Sequence, residues 1–165
     1  MTSSEEHLKS FRQFNEDIKE KIMSGLVLER QKIIAFDASE ASTNLLEYFL
    51  HKKNLIPAGF KVNHNYFASL WRIRLILLTF IRILQTENLE LKVTQLSKFS
   101  VKRAHRYLDF DFPKKDEIIS LMTSQEEFRN ILCYGKEKDI EEVKGVINNL
   151  NRLIELIKSE LGEPL

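Results

Sequence analysis

Glycine, proline and cysteine are scarce in this chain of 165 residues. Five glycines and three prolines leave little with which to build the many turns of a β fold, so long helices are expected. A single cysteine, Cys133, excludes a disulfide within the chain and makes a reducing cytoplasm the expected setting. No apolar run is long enough to span a membrane. The most apolar stretch, 66–84, is cut by Arg72, Arg74 and Arg82. Its longest uncharged run, from Leu75 to Ile81, falls far short of the roughly 20 residues a spanning helix needs. The opening residues, Met1 to Glu6, are polar and acidic, so no signal peptide is expected. Gly-rich phosphate loops, His-Glu-x-x-His, paired cysteines and Gly-x-Ser-x-Gly are all missing. Most well-marked enzyme classes are thereby unsupported, and no cofactor or metal is expected.

What is present is apolar bulk and segregated charge. Hydrophobic residues make up 43% of the chain and eleven are Phe, enough for one sizeable core and a single domain over 1–165. The net charge of +1 hides a pattern. Residues 1–60 hold 8 Lys/Arg against 9 Asp/Glu, residues 61–115 hold 11 against 4, and residues 116–165 hold 6 against 11. A basic middle and an acidic end suit an anionic partner, or charge pairing within the chain or across a dimer.

Periodicity organises the chain into helices. Leu8, Phe11, Phe14, Ile18 and Ile22 step by three and four along 5–24, with Ser3 or Ser4 placed to cap and Gly25 to stop the helix. A second helix is expected over 27–53, where Ala35, Ala38 and Ser42 form a small-residue strip that lets another helix approach. Asn63 is placed to cap a third, apolar on nearly all sides, running to about Thr86. Segment 88–108 mixes strand-like and helix-like spacing and reads as a loop followed by short helices. Pro113 is placed to open a helix over 114–134, or two helices joined near Thr123, where Thr123-x-x-Glu126 matches a capping box. Asp139-x-x-Glu142 starts the last helix, whose Ile140, Val143, Ile147, Leu150, Ile154, Ile157 and Leu161 follow a heptad seam. The expected fold is an all-α bundle of five or six helices with a long heptad-patterned C-terminal helix.

Side-chain chemistry concentrates in Arg129-Asn130-Ile131-Leu132-Cys133-Tyr134-Gly135. Arg129 offers a fork of donors suited to phosphate, Asn130 a base-edge or backbone contact, and Tyr134 a stacking ring. Five residues separate Arg129 from Tyr134, about 140° around an ideal helix, so they converge only if the helix ends near Cys133 or a partner chain completes the site. The alternative is a helix end with Tyr134 packed under the last helix. A second candidate is the basic stretch with interleaved aromatics: Lys98, Lys102, Arg103, His105, Arg106 and Tyr107. It suits nucleic-acid phosphates, with Tyr107 available to stack, or it is a solvated basic face. His64, between two Asn, is placed to bind phosphate or base at a helix N-terminus, or merely to cap it. Asp37, Glu40, Asn44, Tyr48 and His51 share one face of the second helix and are expected to form a solvated stripe, because Asp37 and His51 lie about 21 Å apart along a helix.

The run Arg129-Asn130-x-x-x-Tyr134-Gly135, followed by a capped amphipathic final helix, resembles the HEPN domains of bacteria and archaea. Asn63-His64-Asn65-Tyr66-Phe67-x-x-Leu70 is similar to a helix opening found in many of them. The resemblance implies a HEPN-like bundle over 27–161, preceded by the N-terminal helix within 1–24, homodimeric, in the setting of a toxin–antitoxin or defence system. It also implies RNA or a small nucleotidyltransferase as partner. The family signature is Arg, four to six residues, then His. Arg129 and Asn130 match the arginine and its polar follower, whereas Tyr134 stands where the catalytic His belongs.

Three functions are therefore expected, in order. The first is nucleic-acid or nucleotide binding by Arg129, Asn130, Tyr134, Lys98, Lys102, Arg103, Arg106 and Tyr107. The second is a divergent metal-independent endoribonuclease. Arg129 would stabilise charge on phosphate there, and His105 or His64 would move the proton. The third is an antitoxin-like helical module that binds protein without catalysis.

Overall fold

Ser3 opens the first helix with a reciprocal pair of hydrogen bonds. Its hydroxyl accepts from the Glu6 amide while the Glu6 carboxylate accepts from the Ser3 amide. Helix α1 (Ser4–Met23) runs from there to a left-handed Gly25. The computed structural model describes residues 3–67, 104 and 107–165. In it α1 is followed by α2 (Gln31–Lys52), a 3₁₀ turn (His64–Tyr66), α3 (Lys115–Tyr134) and α4 (Ile140–Leu161).

The protein is all-α: the described residues hold four packed helices and no strand, not the five or six helices expected. Of the expected third helix, only Asn63–Phe67 are described. There the Asn63 side chain accepts from the Asn65 amide and caps the 3₁₀ turn. Of segment 88–108, only Ala104, Tyr107 and Leu108 are described. No helix among the described residues is long and apolar enough to cross a membrane.

Helix α2 is the hub. It packs against α1, α3 and α4, and α3 packs against α4, while α1, among the described residues, rests chiefly on α2. The small-residue strip explains this: Ala35, Ala38, Ala41 and Ser42 are buried, so neighbouring backbones come close. Leu45, Leu46, Phe49 and Leu50 fill the core beside them.

Residues 115–134 form one helix, not two. Thr123 sits buried inside it, with its hydroxyl donating to the Ile119 carbonyl, so no capping box forms there. Asp139 does cap α4, accepting from the Glu142 amide, and Gly162 ends that helix in the left-handed region. The buried residues of α4 are Val143, Val146, Leu150, Leu153, Ile154, Leu156 and Ile157. That face is wider than the expected seam because α4 meets both α2 and α3.

Candidate functional site

Arg129 points inward, toward α2. Its side chain is 13% exposed, and its Nη1 donates across 3.1 Å to Oε2 of Glu126, one turn back and 3% exposed. The other Glu126 oxygen accepts a short hydrogen bond from the Ser39 hydroxyl on α2. The guanidinium carbon lies 5.8 Å from the centre of the Phe36 ring. Carboxylate and aromatic face thus neutralise and cover the cation, leaving Nε buried without a hydrogen-bond partner. An arginine so held stitches α3 to α2. Binding a phosphate there would require breaking the Glu126 pair.

Asn130 is half-buried, and Tyr134 is 68% exposed. Helix α3 continues through Tyr134, so Arg129 and Tyr134 diverge around it and make no common site within the chain. Nor is Tyr134 packed beneath the last helix. Between them, the Cys133 thiol donates to the Lys32 carbonyl, and burial pushes the thiol up from its ordinary value, against the nearby Arg129 charge. It is no activated nucleophile.

His64 stands at the other end of α2. Its turn follows Val62, whose amide donates to the Glu47 carboxylate, and Phe112 packs edge-on against Phe49 at 6.1 Å. Glu47 and Phe49 lie eleven and thirteen residues from Phe36, about 16–20 Å along the helix. Arg129 and His64 therefore belong to opposite ends. What joins the His64 turn to the basic segment is a ring stack: Tyr66 and Tyr107 lie 4.4 Å apart, 10° from parallel. Tyr107 is partly exposed. Lys98, Lys102, Arg103, His105 and Arg106 lie outside the described residues.

The stripe on α2 is not solvated. Asp37 meets Lys21 of α1 at 3.2 Å, Asn44 meets His7 at 3.3 Å, and His51 stacks on His7. Tyr48 donates to Glu163 at 2.7 Å. These polar side chains fasten α1 and the C-terminal residues to α2. Among the described residues, no three His, Cys, Asp or Glu side chains converge to hold a metal ion.

Surface chemistry concentrates instead at the Arg129 end. Among the described residues, eight large hydrophobic side chains are exposed: Ile22, Met23, Leu26, Leu28, Ile33, Phe36, Tyr107 and Tyr134. All but Tyr107 sit on the end of α1, the connection to α2, the first turns of α2 and the last residue of α3. Met23 is 81% exposed and Phe36 43%. The Lys32 carbonyl bond to Cys133 places Tyr134 next to the start of α2, and Gln31 holds both Leu28 and Lys138 there. Sequence reasoning missed Phe36. The available signal was Ile33 and Phe36 at a three-residue step, off the face carrying Ile34, Ala38 and Leu45.

No family model, curated protein or solved structure matches this chain.

Proposed function

We propose that this chain is a helical protein-interaction module without catalysis, docking its partner through the apolar end of the bundle. One observation carries the reading: seven of the eight exposed large hydrophobic side chains among the described residues gather at that end. Exposed apolar side chains gathered at one end of a bundle mark an interaction site. The burial of Arg129 against Glu126 supports the same reading, because it removes the phosphate-binding group from both rival functions. The resemblance of the Arg129–Gly135 run to HEPN domains supports, as partner, a second copy of the chain or a small nucleotidyltransferase.

The test is affinity purification from cells at low and high salt, with a variant carrying Met23→Lys, Leu26→Lys and Phe36→Lys. A stoichiometric complex that survives high salt, contains no nucleic acid and is lost in the variant supports the module. Apolar contacts are insensitive to screening, whereas phosphate contacts are not. A wild-type chain that stays monomeric and unaccompanied, or a complex that the variant retains, overturns it.

A second reading, nucleic-acid binding, is favoured by the Tyr66–Tyr107 stack beside the basic 98–106 run. Aromatic platforms hold single-stranded bases with about 1–3 kcal/mol each. Tyr107→Ala then weakens binding of labelled single-stranded RNA at low salt by about tenfold or more. Unchanged binding removes that platform from consideration.

A further inference from the structure

Where the first turns of α1 meet the last turns of α2, two imidazoles lie face to face. The ring centres of His7 and His51 are 5.5 Å apart and their planes 18° from parallel. His7 is buried, with Nδ1 2.8 Å from Oε2 of the equally buried Glu47 and 3.3 Å from Oδ1 of Asn44. The Asn44 amide nitrogen donates to the Glu40 carbonyl, which turns its oxygen toward His7. Both neighbours accept, so Nδ1 of His7 carries the hydrogen. Nε2 of His7 and Nε2 of His51 are also buried, with no hydrogen-bond partner. A neutral imidazole tolerates a bare buried lone pair. An added proton there is a buried N–H without an acceptor, carrying charge against a stacked neighbour.

We propose that this seam is a proton-operated latch, in which uptake of a proton by His51 against the His7–Glu47 pair drives the N-terminal helix off α2. The inference does not rest on the docking function. Among the described residues, α1 is the element able to leave, since there it rests chiefly on α2, whereas α3 and α4 pack on α2 and on each other. Its departure uncovers Leu8, Phe11 and Ile18, and the α2 surface they cover.

Among the described residues, the titratable groups around the seam are His7 on α1, Glu40 and Glu47 on α2, and Lys61 in the segment that follows. Burial, and then the neighbouring His7, lower the proton affinity of His51 below its ordinary value of 6.5. The released state therefore takes the proton first, and docking weakens as pH falls through 6.5, until the docked ring protonates too. Glu47 acts in the opposite sense. Burial raises its carboxyl above 4.5 and Glu40 adds to this, against the Val62 amide, His7 and Lys61. The docked state thus takes that proton first, and docking recovers as pH falls through the raised Glu47 value. Release belongs to the window between. Each pH unit below 6.5 multiplies the released fraction by up to about tenfold.

The test is hydrogen exchange on the full chain at about pH 7.5 and about pH 5.5, read as protection factors so that the intrinsic pH dependence of exchange cancels. The expected result is a loss of about tenfold in protection over residues 4–23 at the lower pH, with residues 115–134 and 140–161 unchanged. His51→Phe keeps a stacked ring but cannot titrate, and its α1 stays protected at both values. His51→Gln serves the same purpose should the Phe variant not fold. Equal α1 protection in the wild type at both pH values overturns the latch. So does a loss shared equally by α1, α3 and α4, and so does a pH-dependent loss that persists in the non-titrating variants.

Discussion

The Arg129 guanidinium lies 3.1 Å from a Glu126 carboxylate that is itself bonded to the Ser39 hydroxyl. Neither charge has ready access to water, so each depends on the other. Removing one partner of a buried pair leaves the other charge stranded, at a cost of about 3–5 kcal/mol, whereas replacing both with apolar groups of similar volume is often neutral.

Arg129→Ala is accordingly expected to destabilise the fold by about 3 kcal/mol in urea denaturation, and Glu126→Gln combined with Arg129→Met by much less. An arginine serving an open phosphate site would behave otherwise, since exposed substitutions usually fall within about 0.5 kcal/mol. A stable, cooperative Arg129→Ala protein would return that residue to the surface and revive its role toward RNA.

The legible parts of this chain were those governed by local chemistry. Ser3 and Asp139 cap helices because each precedes an apolar period with a partner carboxylate or amide in reach. Thr123-x-x-Glu126 is the same string, yet it lies within a helix, because the buried period of Ile118, Ile119, Met122 and Leu132 runs past it. A cap requires extended backbone at its first residue, and continuous packing denies it. The polar stripe on α2 misled for a related reason. Whether Asp37, Asn44 and His51 face water depends on α1 lying across them with Lys21 and His7, a pairing made over 16 to 44 residues of chain. The burial of Arg129 was equally hidden: its partner Glu126 was legible at a three-residue step, but Ser39 and Phe36 come from another helix.

Gly135 ends α3 for a reason other than a left-handed backbone. Its φ of −90° and ψ of −172° are open to any residue. A Cβ there would sit 2.2 Å from the Ile131 carbonyl oxygen, the group that accepts the Gly135 amide. Gly135→Ala should therefore break that terminal bond and lower stability by about 1–3 kcal/mol. Gly145→Ala is the control. Its Cβ would meet the Phe128 ring at 3.2 Å, a contact a small ring movement relieves, and alanine favours the helix by about 1 kcal/mol. Thermal melts showing Gly145→Ala to be the more damaging of the two would refute this account.

Asp37 offers a test of charge burial by pH. Desolvation raises its carboxyl above the ordinary 3.8, with Asp17 adding and Lys21 opposing. A raised acid contributes stability below its ordinary value and loses it as pH rises through its folded value. Asp37→Asn should remove this loss, so the variant matches or exceeds wild-type stability at neutral pH and shows a flatter profile from about pH 4 upward. Lys21→Met should do the reverse at neutral pH, leaving the buried carboxylate unpaired. Urea midpoints across the range decide it, and a marked neutral-pH loss in Asp37→Asn would show that the ion pair outweighs the desolvation.

Cys133 reports on the α2–α3 contact without any substitution. Its thiol donates to the Lys32 carbonyl, and burial pushes its ionisation above the ordinary 9.0. The thiolate is the reactive form, so alkylation by iodoacetamide at neutral pH should be slower than that of an unstructured cysteine peptide by about tenfold or more. The rate should climb with pH beyond the point where the peptide's rate levels off. In denaturing urea the two should coincide, because both the bond and the burial are gone. Arg129→Ala should also speed the native reaction, even though it removes a cation that favours the thiolate, because loosening α3 from α2 frees the thiol from Lys32. If alkylation is instead fast in the native wild type and slowed by Arg129→Ala, then Arg129 activates Cys133 electrostatically, and the pair would merit a catalytic reading that its burial now opposes.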